Sequence, residues 1–243
     1  MKKTNKWTIT AASALALMVG ASTSLAVVID STVFGSDNDG LGGYTHTAID
    51  GSNTILTVSS GSVQYRNQNL GALDAGFIKQ QTGIDRTAGS GLKYTVSGTV
   101  YISDGYADDN NRIDLVLFTD PTKVLSRNNT GQIGIVWNTD DNSAGGAPGS
   151  NTKDNLSIFN GFNSTAADGV NAPSVLRDQT VPFAQDLLQG TELTMSATFW
   201  FTGTNINIQA SMTDAGGVTS IGTAVVAADD YTGDYFGFAS TYR

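Results

Sequence analysis

The sequence predicts an all-β protein built as a two-sheet antiparallel β-sandwich, and three observations carry that expectation. Apolar and polar residues alternate one by one in several runs, most clearly from Leu193 to Thr202, which puts successive side chains on opposite faces of a strand. The composition is poor in helix formers, with 21 Asp against a single Glu and 28 Gly among 243 residues; Asp, Asn, Gly, Ser and Thr favour turns and caps over helix interiors. Runs with one apolar and one polar face, in a chain this long, fit two stacked sheets better than a small barrel. An apolar share of 40% is too high for an acidic disordered tail and sufficient for a core.

The first 26 residues read as a secretory signal peptide. Lys2, Lys3 and Lys6 form a basic start, Ile9 to Val19 is apolar, and Ser24-Leu25-Ala26 offers small residues for cleavage after Ala26. The apolar stretch is shorter than the ~20 residues that span a bilayer, so no membrane insertion is expected after cleavage. Residues 27–243 then form one domain, with no repeat and no linker. Losing three lysines leaves 10 cations against 22 carboxylates and takes the formal charge from -9 to -12. Such a surface repels nucleic acid and anionic lipid. The chain has no Cys, which removes disulfides, thiolate nucleophiles and Cys-based zinc sites together. Nothing at the C-terminal Ser240-Thr241-Tyr242-Arg243 suggests an anchor, and the expected location is extracellular or at the cell surface.

Strands are expected at Ile55 to Ser59 and Ser62 to Arg66, then at Tyr94 to Ile102, where Tyr94, Val96, Val100 and Ile102 alternate with Thr95, Ser97, Thr99 and Tyr101. Arg112 to Phe118 and Gln132 to Asn138 follow. The stretch Asp140 to Asn155, rich in Gly, Asn, Ser and Asp, reads as a long exposed connection, and Pro182 to Leu188 as a short helical turn. Leu193 to Thr202 and Asn205 to Met212 flank Gly203-Thr204 and read as a hairpin. Val218 to Val226 and Tyr235 to Thr241 complete the set. The expected core contains Phe199, Phe201, Ile206, Ile208, Phe236 and Phe238.

Tyr94-Thr-Val-Ser-Gly-Thr-Val-Tyr-Ile102, an acidic loop, Arg112-Ile-Asp-Leu-Val-Leu-Phe118, Gln132-Ile-Gly-Ile-Val-Trp137 and the closing Tyr235-Phe-Gly-Phe-Ala-Ser240 resemble the concanavalin A-like lectin and glucanase superfamily, in its LamG-like jelly-roll branch. The resemblance follows strand order over most of residues 27–243. It implies a jelly roll whose concave sheet holds glycans and whose rim loops hold calcium.

Independently of that resemblance, Trp200 shares its strand face with Thr194, Ser196 and Thr198, and the next strand offers Asn205, Asn207 and Gln209. An indole among hydroxyls and amides suits a sugar, because a pyranose presents C–H patches to an aromatic face and hydroxyls to side-chain donors and acceptors. Tyr101 could extend this surface, giving Trp200, Asn205, Asn207, Tyr101 and Thr198 as candidate ligand-binding residues. The same pattern also fits ordinary strand propensity with a loop over Trp200. Trp137, beside Ile133 and Ile135, reads as core.

Asp37-Asn38-Asp39-Gly40 and Asp104 with Asp108 and Asp109 gather oxygen donors suited to Ca²⁺, which takes about 6 to 8 of them. The spacing is not that of an EF-hand, and Asx-turns account for the same residues. Asp229, Asp230 and Asp234 add an acidic rim, and Arg112 with Asp114 suits an ion pair within the sheet.

Catalysis is not the expected role. The glucanases of the superfamily carry Glu, Asp and Glu on one strand, whereas Glu192 is the lone Glu here and no strand carries two inward carboxylates, the pair that glycoside hydrolysis requires. In alginate-lyase-like jelly rolls a His follows the Gln-Ile pair; here Gly134 follows Gln132-Ile133, and their Arg-Glu strand has no counterpart. His46 is the single His and no nucleophile elbow accompanies it. Two non-catalytic classes remain: a glycan- or polysaccharide-binding lectin-like module using the Trp200 face, and a structural or adhesive subunit self-associating through sheet edges or through Val27-Val28-Ile29 once cleavage exposes it.

Overall fold

The computed structural model describes residues 5–10, 43–48, 54–59, 62–67, 73–102, 111–124, 131–139, 155–160, 181–182, 192–217 and 219–242. Among them are β1 (Asn5–Thr10), β2 (Thr45–Ala48), β3 (Thr54–Ser59), β4 (Ser62–Asn67), β5 (Leu73–Gln80), β6 (Tyr94–Ile102) and β7 (Asn111–Thr119). They continue with β8 (Ile133–Thr139), β9 (Asn155–Asn160), β10 (Val181–Pro182), β11 (Glu192–Thr202), β12 (Asn205–Asp214), β13 (Thr219–Ala227) and β14 (Tyr235–Tyr242). A 3-10 turn, Ala228–Asp230, is the one helical element among the described residues.

The strands form two seven-stranded sheets, one in the order β13-β12-β11-β6-β1-β4-β3 and the other β10-β9-β8-β7-β14-β5-β2. Neighbours run antiparallel throughout. The C-terminal strand β14 lies in the middle of the second sheet, between β7 and β5, so the chain crosses repeatedly between layers as a jelly roll does. Each strand expected from alternation is present, with ends within two residues of the expected ones.

The structure adds to the sequence expectation in several places: β2, β5 and β9 were not expected as strands. Pro182, expected to open a helical turn, pairs with Asn155 in the two-residue β10, and residues 183–188 lie outside the described residues. Asn5–Thr10, read as leader, is β1, paired with both β6 and β4; the alternating Lys6-Trp7-Thr8-Ile9-Thr10 suits a strand as well as a basic leader.

The core fills the space between the sheets. Phe199, Phe201, Ile206, Ile208, Phe236 and Phe238 are all buried, as expected, and join Phe77, Leu115, Leu117, Ile133, Ile135 and Met195 in one cluster. Gly98 of the first sheet is a notch for the second: a Cβ there would stand 2.5 Å from Cζ of Phe238. β7 breaks its alternation near its end, where the register with β14 shifts between Tyr235 and Gly237. Phe118 there adopts φ 57, a left-handed conformation costing an aromatic residue about 1–3 kcal/mol. The shift turns its ring into the core, edge-on to Phe199 at 5.0 Å and to Phe236 at 5.1 Å, contacts that offset the strain.

The sheets differ in their outward faces. Ile78, Val116, Val124 and Ala239 form a second buried cluster, and Asp114, on the Val116 side of β7, is 1% exposed, so the second sheet is covered on both sides. The outward residues of β11 and β12 are half-buried or exposed. That face is therefore the accessible one.

Residues 81–93, which lead from β5 into β6, are fastened by Arg86. Its guanidinium donates to the carbonyls of Tyr231 (2.7 Å) and Gly233 (2.6 Å) and lies over Phe118 and Phe201 at 5.2 and 5.9 Å. Burial lowers its pKa, and the charge of Asp234 works in the opposite direction. Beside it, burial first and the Asp230 charge second push the Tyr231 phenol up to about 12. A phenol that holds its proton more tightly when folded than its ordinary ~10 stabilises the fold below pH ~10 and loses that contribution as pH climbs to about 12. Melting temperature should therefore fall between pH ~10 and ~12, and more steeply than in Tyr231→Phe. Identical alkaline profiles for the two proteins would contradict this role of the phenol.

Candidate functional site

The site is built on the β11–β12 hairpin. Strict alternation buries Leu193, Met195, Ala197, Phe199 and Phe201 and turns Thr194, Ser196, Thr198, Trp200 and Thr202 outward. The two-residue turn closing the hairpin has Gly203 at φ 57, a conformation that glycine adopts without cost. Register then fixes the neighbours. Trp200 lies opposite Asn207, Thr198 opposite Gln209 and Thr202 opposite Asn205. On the other side Thr198 faces Thr95 and Phe199 faces Tyr94, so Lys93, one residue before β6, comes level with Trp200.

The side chains make a small polar platform around the half-buried indole. The hydroxyls of Thr95 and Thr198 are 2.8 Å apart in a hydrogen bond. Asn207 Nδ2 donates to Thr202 Oγ1 at 2.6 Å, keeping its carbonyl oxygen for other donors. Lys93 Nζ stands 4.4 Å from the centroid of the Trp200 ring, a cation–π contact worth about 0.5–1 kcal/mol at an exposed position. Beyond Asn207 in register is Val225 of β13, which is 61% exposed.

Four of the five expected ligand-binding residues, Trp200, Asn205, Asn207 and Thr198, thus lie together at one end of the face. Tyr101 does not. It pairs with Glu192, eight residues from Trp200 along β11, or about 26 Å at ~3.3 Å per residue. Alternation gives only a residue's face, whereas the cross-strand register decides its distance. Lys93 was missed for the same reason, because only the Tyr94–Phe199 pairing brings it to the indole.

The expected calcium ligands Asp37, Asp39, Asp104, Asp108 and Asp109 lie outside the described residues. Among the described residues no three His, Cys, Asp or Glu side chains gather as a metal site. Of the acidic rim, Asp229 and Asp230 are exposed, and Asp234 Oδ2 accepts from Gln80 Nε2 at 2.6 Å, which makes it a tie between β5 and the loop before β14. Glu192 is exposed at the start of β11. Trp137 is level with the buried Ile113 and Leu156, and His46 pairs with Phe77; the side chains of Trp137, His46 and Arg112 lie outside the described set.

Among solved structures the chain is similar to a peanut lectin in complex with a nine-residue peptide, at 14% identity, with a TM-score of 0.50 over 87% of this chain and 88% of that one. It is also similar to lectin II from Ulex europaeus, at 10% identity and a TM-score of 0.45 over 82% and 84%. A lectin from Bauhinia forficata in complex with GalNAc matches at 12% identity and a TM-score of 0.46 over 82% and 89%. No protein-family model and no curated protein matches the chain. Strand order and the first of these likenesses together give the fold: the concanavalin A-like jelly roll.

Proposed function

We propose that this chain is an exported, non-catalytic carbohydrate-binding protein, lectin-like in the manner of the LamG branch, acting at the cell surface or in the extracellular matrix. The observation that carries the reading is Trp200, an indole turned outward and half-buried among Thr198, Asn207 and Thr202. A jelly roll shared with a lectin supports it. A glycan array probed with the mature chain tests it: selective, saturable binding to a polysaccharide or glycan class is expected, and an array blank at micromolar protein would contradict the reading.

Export removes residues 1–26 in this reading and takes β1 from its place between β6 and β4. Mass spectrometry of the exported protein should find Val27 at its start, and a chain beginning at Met1 would contradict the cleavage. Calcium belongs to the same proposal, held by the loops carrying Asp37, Asp39, Asp104, Asp108 and Asp109. Excess EDTA should then lower the melting temperature, as loss of any ligand of the native state does; an unchanged melting temperature would leave these residues to turns.

One observation favours a second reading, a subunit that assembles through a sheet edge. Among the described residues β13 ends the first sheet, and it carries Ile221 (51% exposed) and Val225 (61%), an apolar edge of the kind that recruits another strand. Size-exclusion chromatography separates the two, with concentration-dependent oligomers supporting assembly and a monomer contradicting it.

A further inference from the structure

The cation on the indole bears on what the site takes. Described cations elsewhere are committed: Arg86 to two carbonyls, Lys123 to Asp120 at 3.5 Å, and Lys79 over the Tyr44 ring at 5.8 Å. Lys93 is exposed, and among the described residues no carboxylate lies within ion-pair range of it; its partner is the Trp200 ring at 4.4 Å. Glu192 pairs in register with Tyr101, more than ~20 Å along the strands from Trp200 and well beyond the Debye length of about 8 Å at physiological salt. Asp214 pairs with the core-facing Leu193. The exposed Asp229 and Asp230 follow Ala228, whose N–H donates to the Thr204 carbonyl of the hairpin turn, so they are the acidic groups nearer the Trp200 end.

Lys93 and a stacked sugar compete for the same indole. A neutral pyranose must displace the ammonium and offers it no counter-charge. A saccharide bearing a carboxylate or sulfate group both displaces it and receives it, through a charge-assisted hydrogen bond stronger than a neutral one. The four-carbon stem of lysine is flexible enough for that swing. We infer that the Trp200 site selects anionic saccharides, with Lys93 leaving the ring to pair with the acidic group while the pyranose stacks on the indole. This rests on the proposed saccharide-binding role of the face, and it specifies the ligand class.

The test compares, by calorimetric titration of the mature chain, an oligouronate, its carboxyl-reduced neutral counterpart and a sulfated oligosaccharide of equal length. Wild type should bind at least one acidic oligosaccharide about tenfold or more tightly than the neutral one; which acidic arm wins identifies carboxylate or sulfate as the recognised group. In Lys93→Met, which keeps an apolar stem beside the indole, the ratio should fall to about one, whereas Lys93→Arg should retain most of it. Equal affinity of wild type for acidic and neutral ligands, or a preference that survives in Lys93→Met, overturns the inference while saccharide binding stands. Binding unaffected by Trp200→Ala, or no binding in any arm, overturns both.

Discussion

Replacing Phe199 with Ala should cost the fold about 3–5 kcal/mol, the range for a large aromatic removed from a core. The ring is fully buried and lies where both sheets meet, stacked on Phe236 at 5.6 Å and on Tyr94 at 5.4 Å, with Phe118 edge-on at 5.0 Å. None of these neighbours can relax into the space easily. Tyr94 is tied through its hydroxyl to the backbone N–H of Asp85 at 2.7 Å, and Phe118 is held by its turned backbone and by Arg86. Denaturant unfolding followed by far-ultraviolet circular dichroism measures the loss. A cost under about 1 kcal/mol would mean that Phe199 is not central to the core, since that is what an exposed substitution costs.

Trp200→Ala, one residue along the same strand, should behave in the opposite way. Its side chain lies on the other face of the sheet, so truncation opens no cavity between the layers and stability should change by no more than about 1 kcal/mol. What disappears is a stacking surface. Saccharide affinity should fall by about 2 kcal/mol or more, roughly 30-fold, the loss expected when a central aromatic is removed from a binding site. The two substitutions, read by unfolding and by titration, should show a clean exchange of effects. If Trp200→Ala instead loses several kcal/mol of stability, as core aromatics do, the indole is a packing residue and the weight moves to assembly through sheet edges.

The fold was legible wherever a strand has one wet and one dry face. β11 and β12 alternate without exception over their buried positions, and the Gly203-Thr204 turn between them could be read to the residue. β5 escaped because Phe77 faces the main core and the adjacent Ile78 the second cluster, so a strand buried on both sides shows no alternation. β9 escaped for the same reason, with Leu156, Ile158 and Phe159 all buried directly after a Gly- and Asn-rich stretch. The site was half legible: alternation gives a residue's face, but register gives its distance. That is why Trp200, Asn207 and Thr198 could be grouped from the sequence, whereas the distance of Tyr101 from them and the approach of Lys93 could not be read there. The acidic loops carry no periodic signal at all, and their Asp and Asn residues suit turns and cations equally.

The most direct test of the Trp200 face is the indole Nε1–H resonance of that residue in the ¹⁵N-labelled protein, assigned by its disappearance in Trp200→Phe, while a saccharide selected on the array is titrated in. The resonance should move or broaden saturably, with the midpoint of the calorimetric binding curve. Saccharide binding with this resonance unmoved to saturation would place the ligand elsewhere on the molecule and contradict the account.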